Sequence, residues 1–199
     1  MHFRCMHFLG RLSRTVLFVL LSSAFCLAQQ TPQAQQDRRT LDLSFGYNYV
    51  HANAPPASCG CFSMQGGSAS IGLPLPHRFT AVADFGATHA ENINNSTEDL
   101  TLFTYLFGVR YAPKRLQSRH ISPFAEAMFG AAHTYSQFPL VNGGNGIAAM
   151  TGGGLDIRLN RRISIRAFDA DYLFTHIPNG ANDSQNNLRI TSGLVLHLP

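Results

Sequence analysis

From Thr40 onward one pattern repeats: apolar residues alternate with polar or small ones, in blocks of about a dozen residues. In TLDLSFGYNYVH, Leu41, Leu43, Phe45, Tyr47 and Tyr49 share one face, while Asp42, Ser44, Gly46 and Asn48 share the other. The same parity runs through FTAVADFGATHA, TLFTYLFGVRY and NNLRITSGLVLHL. A period of two belongs to strands, and no segment of this region carries a convincing helical period. The pattern predicts eight strands, at 40–51, 63–75, 79–90, 99–112, 121–135, 146–159, 162–176 and 187–198. Pro76 to Arg78 and Asn160 to Arg161 read as tight turns, whereas 52–62, 91–98, 136–145 and 177–186 are longer, Asn/Gly-rich loops. Pro113 to His120 is a longer connection on the short-turn side. Hairpin after hairpin, with short turns at one end and longer loops at the other, is an up-and-down antiparallel meander.

Strands of this length exceed the usual soluble strand of about 5–6 residues and match a tilted crossing of a bilayer. Composition decides which face meets lipid. The polar face is rich in Gly, Ala, Ser and Thr, and the only lysine beyond the N-terminal segment, Lys114, sits in a turn. A solvated surface would be crowded with Lys and Glu. The apolar face is therefore assigned to lipid, and the small, sparsely charged face to a narrow lumen.

Residues 1–28 carry a basic start (Arg4, Arg11, Arg14), an apolar run from Val16 to Leu27 and a small Ala28, followed by the polar QQTPQAQQ. That is the layout of a secretory signal peptide, with 29–39 as a periplasmic linker and 40–199 as the barrel. Three of the 15 basic residues and none of the 11 acidic ones lie in the signal, so the formal charge falls from +4 to +1 without it. A nucleic-acid partner thereby loses its main support. Two of the four cysteines leave with the signal; Cys59 and Cys61 remain, as a loop disulfide or as two idle thiols.

Taken with the eight alternating strands, the block PFAEAMFGAAH followed by GGGLDIRLNRRISIRAFDADYL resembles the eight-stranded outer-membrane barrels of the OmpA-like kind, over essentially all of Thr40 to Pro199. The resemblance implies an all-β, eight-stranded antiparallel transmembrane barrel in the cell outer membrane, surrounded by lipid and delivered by barrel-insertion machinery. Two departures stand out. The chain ends Leu198-Pro199, where such barrels commonly end on an aromatic residue, and no peptidoglycan-binding domain is expected beyond the eighth strand.

On the lumen parity fall Asp42, Asp84, Arg110, Glu126, Asp156, Arg158, Arg166 and Arg189. The seventh strand switches parity, with Ile163 and Ile165 apolar on odd positions but Phe168, Tyr172 and Phe174 on even ones. A β-bulge near Ala167 would restore consistency and turn Asp169 and Asp171 inward. Hairpin geometry then sets Asp156 opposite Arg166, Asp171 near Arg189, and Glu126 near Arg110. Buried charges must be paired, so these groups are expected to form an ionic network that plugs the barrel.

His51, His89, His133 and His176 each end an outward-running strand on the lipid-facing parity. They read as an interfacial girdle, apolar ring with polar tip, in a chain that has no tryptophan. Contact with lipid phosphates is the sharper alternative. Outward residues on a barrel diverge, so no metal is expected there, and no cofactor is expected anywhere. His120-Ile121-Ser122 has the His-x-Ser spacing of lipid A deacylases but falls at a short-turn end, away from outer-leaflet substrate. The expected role is structural or surface-interacting, with no enzymatic activity. A narrow, low-conductance pore is the alternative, a lipid A-modifying enzyme the weaker one, and no surface ligand can be named from the sequence.

Overall fold

The alternation resolves into eight strands: β1 (Leu41–Ala52), β2 (Phe62–Pro74), β3 (Phe79–Ala90), β4 (Leu100–Tyr111), β5 (Ile121–Ser136), β6 (Asn145–Arg158), β7 (Ile163–His176) and β8 (Ser184–Leu198). The computed structural model describes residues 41–52, 61–91, 93, 99–113, 120–136, 144–178 and 183–198. The expected signal peptide, the linker and Cys59 lie outside these residues.

Each strand pairs antiparallel with its neighbours in chain order, and β1 closes on β8 from Leu41↔Leu198 to Ala52↔Asn187. The result is the all-β, up-and-down closed barrel that the alternation and connection pattern predict. The largest difference from the expected boundaries is β8, which begins at Ser184, three residues early. Its first residues, SQNN, are polar throughout and carry no alternation; they become strand because β7 offers them backbone partners out to His176↔Ser184.

Period two makes the two walls of the barrel. Outside stand Phe45, Tyr47, Leu73, Phe85, Tyr105, Phe107, Phe129, Tyr172 and Leu194, each exposed over two-fifths or more of its surface. Along β5 the contrast is sharp: Phe129 is 61% exposed and Glu126 is 5% exposed. A continuous apolar, aromatic wall of this kind is suited to hydrocarbon and unsuited to water.

β7 changes parity at the place its sequence required. Leu155 pairs with Phe168 and Asp156 with Arg166, so Ala167 is an extra residue without a counterpart. The bulge lets Arg166 point inward on an even position and Asp169 and Asp171 on odd ones, all three buried.

The tight turns are locally encoded. Between β6 and β7, the Asn160 side-chain oxygen accepts hydrogen bonds from the backbone N–H groups of Arg162 and Ile163, both at 2.8 Å. This Asx-type arrangement holds the chain reversal. Asn160→Ala is expected to cost about 1 kcal/mol, read as a lowered urea midpoint with unchanged gel mobility of the folded form.

The interior differs from the expectation of a small and polar face. Val50, Met64, Leu102, Leu106, Met128, Met150, Leu173 and Ile177 also point inward and form one buried cluster, mostly in the loop-ward halves of their strands. An eight-stranded interior must be filled by side chains to near-solid density, and residues of this bulk do so.

Candidate functional site

Below the apolar cluster, toward the short turns, the barrel is filled by charge. Arg110 grips Glu126, with Nε at 2.7 Å and Nη2 at 2.6 Å, both on Oε2. Arg166 reaches Asp156 through Nε at 3.0 Å and Nη2 at 3.4 Å, and Asp169 Oδ2 through Nη1 at 3.2 Å. Arg189 makes a two-pronged pair with Asp84, Nη1 to Oδ1 at 2.8 Å and Nη2 to Oδ2 at 3.1 Å. Two cations lie over the Phe124 ring, the Arg110 guanidinium carbon 4.4 Å and that of Arg166 4.7 Å from its centroid. At the foot of the barrel, Asp42 and His197 meet at 2.6 Å, and His197 Nε2 lies 2.8 Å from Ser164 Oγ.

These contacts sort the residues that the sequence singles out. Glu126 faces Arg110 and Asp156 faces Arg166 in register, and each pair is in contact. Asp171 faces Arg189 in register too, but the guanidinium turns across the lumen to Asp84 instead. Hairpin register predicts neighbours along the wall; it cannot see a partner on the opposite side. Arg158 stands apart from the network, exposed at the end of β6 opposite Ser164. Asn48 and Thr191 are not among the charged residues that the sequence singles out, yet both are buried and hydrogen-bonded to each other at 2.9 Å. Their inward parity is the signal that could have found them.

The void bounded by Ser44, Ser68, Asp84, Arg166, Arg189 and Thr191 has a volume of about 10 Å³, roughly the minimum for one water molecule. One part of the layer has the donors for a cation: carboxylate oxygens of Glu126, Asp169 and Asp171, all buried, lie within 4.8 Å of one another.

At the loop-ward rim the four histidines share a local arrangement. Each lies opposite a short polar residue across its own hairpin: His51↔Ser63, His89↔Thr101, His133↔Asn145 and His176↔Ser184. Nδ1 of His89 is 2.9 Å from Thr101 Oγ1, that of His133 is 2.7 Å from Asn145 Oδ1, and that of His176 is 3.4 Å from Ser184 Oγ. His133 also stacks on Phe103 at 6.4 Å. In His89, His133 and His176 one ring nitrogen is thus engaged with the wall. His51, His89 and His176 are exposed and His133 half-buried.

His120 is exposed at the foot of β5, and Ser122 lies opposite Asp156, the carboxylate held by Arg166. Cys61 is exposed just before β2.

Comparison with solved structures places this architecture. Neisserial surface protein A matches with a TM-score of 0.61 at 12% identity, over 78% of this chain and 96% of that one. The attachment invasion locus protein Ail of Yersinia pestis matches with a TM-score of 0.51 at 14% identity, over 79% and 98%. Outer membrane protein OprG of Pseudomonas aeruginosa matches with a TM-score of 0.50 at 10% identity, over 80% and 96%. No protein-family model matches the chain, and no curated protein matches it in sequence. The shared fold is a closed antiparallel β-barrel, here of eight strands.

Proposed function

We propose that this outer-membrane barrel is a sealed anchor: a structural or surface-interacting protein whose interior is closed and whose function lies in what its loops present. The observation that carries the reading is the stacking of two layers of inward side chains. An apolar layer around Leu106 and Leu173 lies loop-ward of an ion-paired layer around Arg189 and Asp84, where the void beside Ser44 and Ser68 measures about 10 Å³. Water and ions would have to displace close-packed, paired side chains to pass.

The rest of the chain fits the same reading. Residues 1–28 would direct export and be removed, 29–39 would lie in the periplasm, and the barrel-insertion machinery would place the strands in outer-membrane lipid. The four rim histidines would sit at headgroup level, ring against the wall and polar edge toward lipid phosphates or water. His120 and Ser122 lie at the short-turn end, away from outer-leaflet lipid, which favours a non-enzymatic role.

Single-channel recording in planar bilayers tests the seal. The wild-type barrel is expected to give no defined conductance steps at moderate voltage. Regular steps from the wild type, raised further by Glu126→Ala or Arg166→Ala, would instead establish the narrow pore and remove the sealed-anchor reading.

A further inference from the structure

The charged layer is not electrically balanced. Apart from Asp42, which meets His197 at the foot of the barrel, the described interior residues set five carboxylates (Asp84, Glu126, Asp156, Asp169 and Asp171) against three guanidiniums (Arg110, Arg166 and Arg189). Every guanidinium is committed to other acids, and Asp171 is left over. It is 0% exposed, and neither of its carboxylate oxygens has a hydrogen-bond partner; Oδ1 of Asp169, itself 1% exposed, is in the same condition. Three buried carboxylate oxygens without a protein partner are among the costliest groups a fold can bury.

Their placement is specific. Strand pairing lays out one continuous row around the wall: Arg110↔Glu126↔Gly152↔Asp171↔Arg189. Gly152 separates the two acids and supplies no side chain, so nothing on the wall stands between the Glu126 and Asp171 carboxylates. Asp169, one step along β7 on the same face, adds the third. Their oxygens lie within 4.8 Å of one another. Oxygens on opposite sides of a Ca²⁺ ion stand about 5 Å apart and adjacent ones about 3.4 Å, given bond lengths of about 2.3–2.6 Å. The upper limit of 4.8 Å meets that requirement. Mg²⁺, with shorter bonds, would draw the three slightly closer.

We propose that the interior binds one hard divalent cation, of the Ca²⁺ and Mg²⁺ class, through the carboxylates of Glu126, Asp169 and Asp171. Two positive charges match the excess of two negative ones, and an all-oxygen donor set selects hard cations over zinc or copper. Arg110 stays on Oε2 of Glu126 and Arg166 on Oδ2 of Asp169, so the ion completes the network without dissolving it. The proposed site departs from the sequence expectation of no metal, which considered the diverging rim histidines and not three acids converging inside.

The test uses the full chain, refolded in detergent free of lipopolysaccharide, stripped with chelator and dialysed against Ca²⁺ alone. The folded wild type is expected to hold one Ca²⁺ per barrel, the urea-unfolded chain none, and folded Asp171→Asn to bind at least about tenfold more weakly. Asp171→Asn preserves shape, and heat-modifiable gel mobility reports whether it has folded. A Ca²⁺-dependent shift of the infrared carboxylate bands in the wild type detects the same coordination without any variant. A folded wild type that binds no Ca²⁺ and shows the carbonyl band of protonated carboxylic acids would overturn the proposal, with protons cancelling the charge instead. So would a folded Asp171→Asn that binds as the wild type does, because the ion would then be held elsewhere. The site lies within the sealed layer but is read out differently: conductance tests the seal and metal content the site, so either reading can fail alone.

Discussion

Arg189→Met is expected to lower the stability of the folded barrel by about 3–5 kcal/mol, the range for removing one partner of a buried pair. Arg189 is 3% exposed, makes two hydrogen bonds to Asp84, and lies beside Asp171 in the row across β7 and β8. Its loss strands the buried Asp84 carboxylate and removes the cation that faces Asp171 across β7 and β8. Urea titration of folded against unfolded mobility, in detergent or vesicles, measures the change. The double variant Arg189→Met with Asp84→Leu should recover much of the loss, because apolar residues of similar size commonly replace a buried ion pair at little cost. A single-variant loss below about 1 kcal/mol would mean that water enters the layer freely, and the filled-lumen account would fail with it.

The contrast between Asp84 and Asp171 as partners of Arg189 marks what the sequence could and could not disclose. Wall geometry was legible: the strand count, the turns, the inward parity of Glu126 and the bulge at Ala167 all follow from a period of two and its one break. Hairpin register then follows from symmetry about each turn, which is why Glu126 and Arg110 could be matched from spacing alone. Contacts across the lumen obey no such symmetry. Arg189 and Asp84 are 105 residues apart, on β8 and β3, and they meet because the closed barrel is narrow enough for a long guanidinium side chain to span. The apolar filling was hidden for a related reason. Val50, Leu106 and Met128 sit on the polar parity of their strands, where alternation reads them as exceptions; only closure shows that these exceptions cluster. The polar start of β8 escaped because a strand with no alternation has no local signature.

Gly152→Val is expected to block folding, and Gly152→Ala to cost about 3 kcal/mol, at the upper end for overpacking a dense interior. A Cβ at 152 would collide with the backbone carbonyl oxygen of Ala170 and with Oδ1 of Asp171. The carbonyl belongs to the adjoining strand and cannot yield without moving β7, and the carboxylate has nowhere to turn within the acid row. Gly67 is the control. It lies on the outer wall, and a Cβ there would meet only the Gly46 carbonyl oxygen, at 3.4 Å. Gly67→Ala should therefore be neutral or slightly stabilising, since alanine also suits a strand better than glycine. The yield of heat-modifiable, fast-migrating barrel after refolding in detergent compares the variants side by side. If Gly152→Ala refolds as well as Gly67→Ala, then β6 and β7 are not packed closely at this point, and the gap that brings Glu126 and Asp171 together is not fixed by the glycine.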